Sequence, residues 1–268
     1  MYKYLLAFLI ATLPVPAFSA FDHSHAQWDA LTKKHVTWLS GGHASQVDYK
    51  GFQADRANLN GYLDGLSAVP QVEYDAWNKQ QKLAYLLNAY NAFTVDLVLT
   101  GYPDLKSIKD LGSFITSPWK KKFFPLLGRQ RSLDDVEHGI IRAPGAFDEP
   151  RIHMAANCAS VGCPALRNDA YTGDKLDAQL DDSVARFLSD RTRNRYNASA
   201  KRLEVSRIFD WYGKDFERGH KGYPSVKATM ARYADQLADK PEDRAAVRGE
   251  KADVTFLDYD WSLNDAKS

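Results

Sequence analysis

The 268-residue chain has only two cysteines and three methionines, and no surplus of either charge: 35 Lys and Arg stand against 34 Asp and Glu. The two signs are interspersed, which leaves no electrostatic footprint for nucleic acid and no polybasic patch for anionic lipid. Neither a glycine-rich phosphate loop nor a Gly-x-Ser-x-Gly elbow occurs, so nucleotide binding and serine hydrolysis have no signature. No apolar run approaches the ~20 residues that span a bilayer. There is no internal repeat, low-complexity tract or linker to divide the chain.

The chain opens with "MYKYLLAFLIATLPVPAFSA". One lysine precedes an apolar run from Tyr4 to Leu13, and Ala17 and Ser19 put small residues where a signal peptidase reads. Residues 1–19 are therefore expected to be a signal peptide, and residues 20–268 a single exported domain, periplasmic or secreted, with no integral membrane segment after cleavage. About 250 residues give ample length for one core. Six Trp, fourteen Tyr and thirteen Phe are there to fill it.

Helical patterns run through Asp22 to Leu39, "ADRANLNGYLDGLSAV", and a long stretch opening at Asp75 and stopping at Gly101-Tyr102-Pro103. That long segment is apolar nearly all round after Leu83, which sends it through the core. "SPWKKKFFPLLGRQRSL" is basic and aromatic and reads as a loop or hairpin. "LDDVEHGIIRA" reads as a helix, "PRIHMAANC" as a buried strand, and "KRLEVSRIFDWYGKDF" as a strand running into a short helix. "KADVTFLDYDW" closes the chain as a strand. Helices outnumber strands without regular alternation, so the expected fold is α+β: a single helix-rich domain with a small mixed or antiparallel sheet.

The chemistry concentrates in "RIHMAANCASVGCPALR", which holds both Cys158 and Cys163. Three readings of it stand open. In an exported protein, two cysteines are by default one disulfide. Residues five apart on an α-helix are too distant to bridge, so a Cys158–Cys163 bond requires "CASVGC" to be a turn. It would contribute only about 2 kcal/mol. The second reading makes Cys158 a nucleophile with His153 or His138 as base, oriented by Asn88, Asn91 or Glu137. Against it, an ideal strand points His153 and Cys158 to opposite faces. The third combines His138, His153, Glu137 and Cys158 around zinc, but their spacing matches no compact ligand pattern, so no metal and no cofactor are expected.

"LLNAYNAFTVDLVL", "SLDDVEHGIIR", "RIHMAANCASVGCPAL", "VSRIFDWYGKDF" and "DYDWSLN" occur in an order that resembles the family called domain of unknown function 547. The resemblance runs from about Leu83 to Asn264. It implies that Asn88, Asn91, Glu137, His138, His153, Asn157, Cys158 and Pro164 occupy the family's motif positions. It also implies that the two cysteines are not equivalent, since plant members often carry a serine-like residue at the second position.

Two functions stand as expectations. One is a thiol-dependent hydrolase or acyl transferase, with Cys158, His153, His138 and Glu137 catalytic and Asn88, Asn91 and Asn157 contacting substrate. The other is a non-catalytic exported binding or structural protein, with a Cys158–Cys163 disulfide and a structural role for the asparagines. Either would take a small-molecule, peptide or cell-envelope ligand. Asn88 and Asn91 share a face of the long helix, which is expected within hydrogen-bonding reach of the 153–164 segment. Export is the expectation that can be checked first. N-terminal sequencing of protein from its native host should begin at Ala20 or Phe21, and recovery of an intact Met1 would refute it.

Overall fold

The computed structural model describes residues 20–266 apart from Ser40 and Phe114. The expected signal peptide, 1–19, lies outside the described residues. The described chain opens with helix α1 (Ala26–His35), a hairpin of β1 (Val36–Trp38) and β2 (Ser45–Val47), and helices α2 (Tyr49–Ala54) and α3 (Arg56–Ala68). Next come the short α4 (Gln71–Ala76) and the long α5 (Lys79–Leu99). The sequence pattern suggests one helix from Asp75, but α4 and α5 are separate. Asn78 starts α5 through a reciprocal capping box, accepting from the Gln81 N–H at 2.9 Å while its own N–H donates to the Gln81 side chain.

Helix α5 is buried nearly all round and is the axis of a first hydrophobic cluster. The basic aromatic stretch forms a hairpin, β3 (Phe124–Leu126) and β4 (Arg129–Arg131). Its two turn residues, Leu127 and Gly128, both have positive φ, as a two-residue hairpin turn requires. A second hydrophobic cluster gathers α6 (Leu176–Ser189), β5 (Arg195–Asn197), β6 (Arg202–Ser206), α7 (Ile208–Trp211), α8 (Val226–Arg232), α9 (Ala234–Leu237), α10 (Pro241–Arg248) and β7 (Asp253–Leu257). Its sheet is mixed: β6 pairs β5 antiparallel and β7 parallel. The parallel pair needs a crossover, which α7 to α10 supply. The fold is thus α+β, helix-rich with small sheets.

Two elements differ from their sequence patterns, and both lead into the site. "LDDVEHGIIRA" is helical but as a π-helix over Asp135–Ile141, with the Arg142 N–H donating to the Glu137 carbonyl five residues back at 2.9 Å. Such turns are rare and occur often at functional sites. The "PRIHMAANC" strand is instead a 3-10 helix, Pro150–Met154. Pro150 presets the first helical φ, and the Glu149 carboxylate accepts from the Arg151 N–H at 3.2 Å while clasping its guanidinium. The opposite-face argument against His153 and Cys158, which assumed a strand, therefore does not apply.

Buried amides fasten the long helix to the segments packed on it. Asn91 donates to the Ala155 carbonyl at 3.0 Å and accepts from the Asn157 N–H at 2.8 Å. Asn88 makes the same two-ended grip one turn earlier, but on the carbonyl and N–H of Tyr171, outside the 153–164 segment. Replacing Asn91 by Leu should leave a carbonyl and an N–H unpaired in a site only 2% exposed. A loss of about 2–4 kcal/mol is expected in urea unfolding. A change below about 0.5 kcal/mol, the low end for one hydrogen bond, would show that the grip carries no stability.

Candidate functional site

The cysteine turn is held from two sides. Asn157 donates to the Pro164 carbonyl at 2.7 Å and accepts from the Ala159 N–H at 2.9 Å, closing the loop across both cysteines. The C-terminal segment runs alongside: Val161 and Gly162 N–H groups donate to the Ser262 and Asp260 carbonyls, both at 2.8 Å. Gly162 is required there, since a Cβ would sit 2.9 Å from the Asp260 carbonyl oxygen. Between them Ala159 is held, fully buried, at a φ of 60°. A left-handed non-glycine residue is costly, and such strain collects at functional sites.

The turn brings the two sulfurs face to face at 2.8 Å, but both cysteines are free. The expected Cys158–Cys163 disulfide is therefore not what the structure holds. The separation exceeds the ~2.05 Å of an S–S bond, and the contact is a hydrogen-bonded thiol pair. The Cys158 N–H also donates to the Cys163 sulfur, at 2.9 Å. Cys158 has two further neighbours, the Ser160 hydroxyl at 3.2 Å and the Tyr259 hydroxyl at 3.1 Å, which are 3.0 Å from each other.

With Cys158 ionised, the Cys163 S–H and both hydroxyls can donate to it. Those three bonds, that from Cys163 foremost, hold the Cys158 thiol below its ordinary pKa despite burial. Burial and the neighbouring Cys158 push Cys163 well up, so one proton belongs to Cys163. Burial, and the charge that Cys158 would carry, raise Tyr259 likewise. The raised Cys163 and Tyr259 contribute stability that is lost as pH rises, whereas Cys158, which ionises more readily folded than unfolded, contributes stability fully present above the ~8.5 of a free thiol. That contribution is lost as pH falls through the lowered folded value.

The sulfurs open onto a cleft of about 280 Å³ where the two hydrophobic clusters meet. Tyr259, Trp211, Trp119 and Trp261 line one part of it, with Trp211 and Trp261 stacked at 5.7 Å. The π-helix lends Glu137 and His138, and the 3-10 helix lends His153. His153 is buried and stacks on Tyr212 at 3.9 Å. Its Nε2 lies 2.8 Å from Asp215 Oδ2 and its Nδ1 4.0 Å from Glu137 Oε1. Burial lowers the His153 pKa, favouring the neutral ring, in which Nε2–H donates to Asp215 and Nδ1 keeps its lone pair. Burial works against the Asp215 charge, but the bonds from His153 and the Arg142 Nε, at 2.7 Å, hold its carboxyl well below the usual range.

His138 is half-exposed at the rim, its Nδ1 2.5 Å from an Arg142 guanidinium nitrogen. Burial, and then the Glu137 carboxylate, push the pKa of the Tyr212 hydroxyl up. Among the described residues no imidazole is hydrogen-bonded to Cys158, and no group of three or more His, Cys, Asp or Glu is placed to hold a metal. Asn88, Asn91 and Asn157 are buried behind the cleft with their amides engaged by backbone. Of the sequence-derived site residues, Cys158, Cys163, His153, His138 and Glu137 line one cleft. Sequence reasoning does not find Ser160, Tyr212, Asp215 or Tyr259. Tyr212 and Asp215 lie in "FDWYGKDF" and Tyr259 in "DYDWSLN", so the quoted motifs hold the only signal for them.

One comparison now bears on this geometry. Residues 74–188 match the family described as protein of unknown function, DUF547. The matched segment contributes α5, the π-helix, the 3-10 helix and the cysteine turn. Tyr212, Asp215 and Tyr259 lie beyond it, as do the last two sequence motifs. No curated protein and no solved structure matches the chain.

The pH dependence of Cys158 alkylation by iodoacetamide tests the hydroxyl network. Half-maximal rate should fall below the ~8.5 of a free thiol, and Tyr259→Phe or Ser160→Ala should each move it up by about one pH unit, the value of one hydrogen bond to a charged group. Profiles that coincide with a model thiol in all three proteins would dismiss the network.

Proposed function

We propose that the protein is an exported thiol-dependent hydrolase or acyl transferase whose nucleophile is Cys158. The observation that carries this reading is a sulfur at the base of an aromatic cleft, beside one thiol and two hydroxyls that can donate to its thiolate. Attack by that sulfur on a carbonyl carbon would give an acyl-enzyme. Attack by the thiolate expels the leaving group as an anion that takes its proton from solvent. His153, fixed by Asp215 in one tautomer, is the group in the cleft suited to accept the proton of the water or acceptor that then releases the acyl group. Glu137, beside Nδ1, would stabilise the imidazolium form. His138 stands at the rim, where it meets the ligand before the chemistry. Asn88, Asn91 and Asn157 serve the site by fixing the backbone around it. The cleft is near the lower end of small-molecule pockets, which suits a short acyl group or one side chain of a peptide or cell-envelope ligand.

A second reading is favoured by one observation, that no imidazole among the described residues is bonded to the sulfur: a non-catalytic binding protein that uses the aromatic cleft alone. The two cysteines separate these readings. With p-nitrophenyl acetate as acyl donor, Cys158→Ser should abolish both the burst of nitrophenolate and the acetylated protein seen by mass spectrometry. Cys163→Ser should retain both and cost at most about 2–3 kcal/mol of stability, since the serine hydroxyl can still donate to the thiolate but from a shorter side-chain bond. Equal effects of the two substitutions would favour the binding protein and end the nucleophile assignment.

A further inference from the structure

The charge balance of the whole chain conceals a strongly cationic segment. Between residues 105 and 133 lie Lys106, Lys109, Lys120, Lys121, Lys122, Arg129 and Arg131 against Asp110 alone, seven minus one, or +6 within a chain of net +1. The Asp110 carboxylate is engaged locally, accepting the N–H groups of Lys106 and Ser107 at 3.0 Å each. Six of the seven cations are exposed, and Arg131 is half-buried. Among the described residues their one ion pair is Lys122 with Asp135, at 4.0 Å. The β3–β4 register sets Arg131 opposite Phe124, and the Phe123 N–H donates to the Arg131 carbonyl at 3.1 Å, so the lysine run and the hairpin arginines share one region.

Beside this region stands an apolar tip. Ile115 is 95% exposed, at the head of a turn closed by the Ser113 N–H to the Thr116 carbonyl at 2.9 Å and by the Thr116 and Ile115 N–H groups to the Ser113 hydroxyl. The turn holds the side chain out into solvent, where an isolated isoleucine gains nothing. Ser117 and Trp119, just after it, line the cleft, and Lys109 lies 4.2 Å above the ring of Trp261 on the same rim.

We infer that this face docks on an anionic lipid bilayer, with Ile115 entering the interface, the lysines meeting acidic headgroups, and the cleft mouth held at the membrane surface. Cations alone would suit any polyanion. The outward-held isoleucine favours one with a hydrocarbon interior, since a basic patch with an apolar insertion is the two-part signal that gives stable peripheral binding. The inference does not depend on the thiol chemistry. With the mouth at the surface, that chemistry meets ligands carried in or on the bilayer.

Sedimentation of the full chain with vesicles of phosphatidylglycerol and phosphatidylcholine tests it. Binding should require phosphatidylglycerol and should weaken as salt rises from about 0.05 to about 0.5 M, because the Debye length falls below about 10 Å. A lysine near such a surface contributes about fivefold in partitioning, so Lys120→Glu/Lys121→Glu/Lys122→Glu should reduce binding by at least about 100-fold. Ile115→Asp should lower it about tenfold, through loss of the apolar insertion and repulsion from the headgroups. Far-UV circular dichroism and the Cys158 alkylation rate should be unchanged in both variants. If the triple variant misfolds, Lys121→Glu alone, with an expected loss of about fivefold or more, replaces it. No binding to phosphatidylglycerol vesicles at about 0.05 M salt, where screening is weak, overturns the proposal. Binding that is insensitive to Ile115→Asp and equalled by soluble heparin also overturns it, in favour of a polyanion site.

Discussion

A buried side-chain amide is tolerated only when both its ends are bonded, and this requirement organises the centre of the molecule. Asn91 and Asn157 are both nearly inaccessible, and between them they fix the backbone at residues 155, 157, 159 and 164. With those points set, the chain has little freedom left between Asn157 and Pro164, and the left-handed Ala159 is a consequence. The C-terminal segment can then lie against the turn only where Gly162 presents no Cβ. Its arrival delivers Tyr259 to the sulfur. The site is therefore as much a product of the polar core as of the residues that face the cleft.

The sequence reveals the local parts of this arrangement and misses those that need distant partners. Cys158, His153, Glu137 and His138 stand out because their chemistry is unusual in any context. The asparagines stand out because a polar residue on an otherwise apolar helix must be satisfied. Asp215 is 62 residues from His153, and Tyr259 is 101 from Cys158. Nothing in either local pattern distinguishes them from ordinary surface acids and core aromatics. The π-helix is legible as a helix, but its i to i+5 bonding leaves little trace in hydrophobic spacing. The 3-10 helix at Pro150 reads wrongly as a strand because Ile152, Met154 and the small residues after them mimic a buried one. The stronger local signal is the proline with the Glu149 cap beside it.

Averaging over the chain fails in the same way for charge. A net charge of +1 describes no surface in particular, because many of the acids face arginines. Arg151, for example, is shared among Glu149, Asp177 and Asp181. The segment 105–133 lies outside those networks and keeps six of its seven cations exposed. Composition speaks against an electrostatic partner only for the chain as a whole. The fold decides which charges neutralise one another and which do not.

The division of labour in the cleft carries a further consequence. In a thiol–imidazolium pair, one proton transfer both creates the nucleophile and charges the base, so the two titrate together. Once Cys158 is ionised its donors are a thiol and two hydroxyls, and none acquires a charge when the sulfur loses its proton. Both Cys163 and Tyr259 are pushed up as Cys158 is held down, so the proton leaves the sulfur they serve and not their own. His153 is left neutral and separately held by Asp215. A site built this way can hold a thiolate while keeping its imidazole free to take a proton, so the sulfur attacks without a base in the first step and the imidazole serves the water or acceptor in the second. The cost is that the thiolate has no cation bonded to it among the described residues, so its stability depends on the donors staying in place. The rigidity of the asparagine-clamped turn supplies that condition.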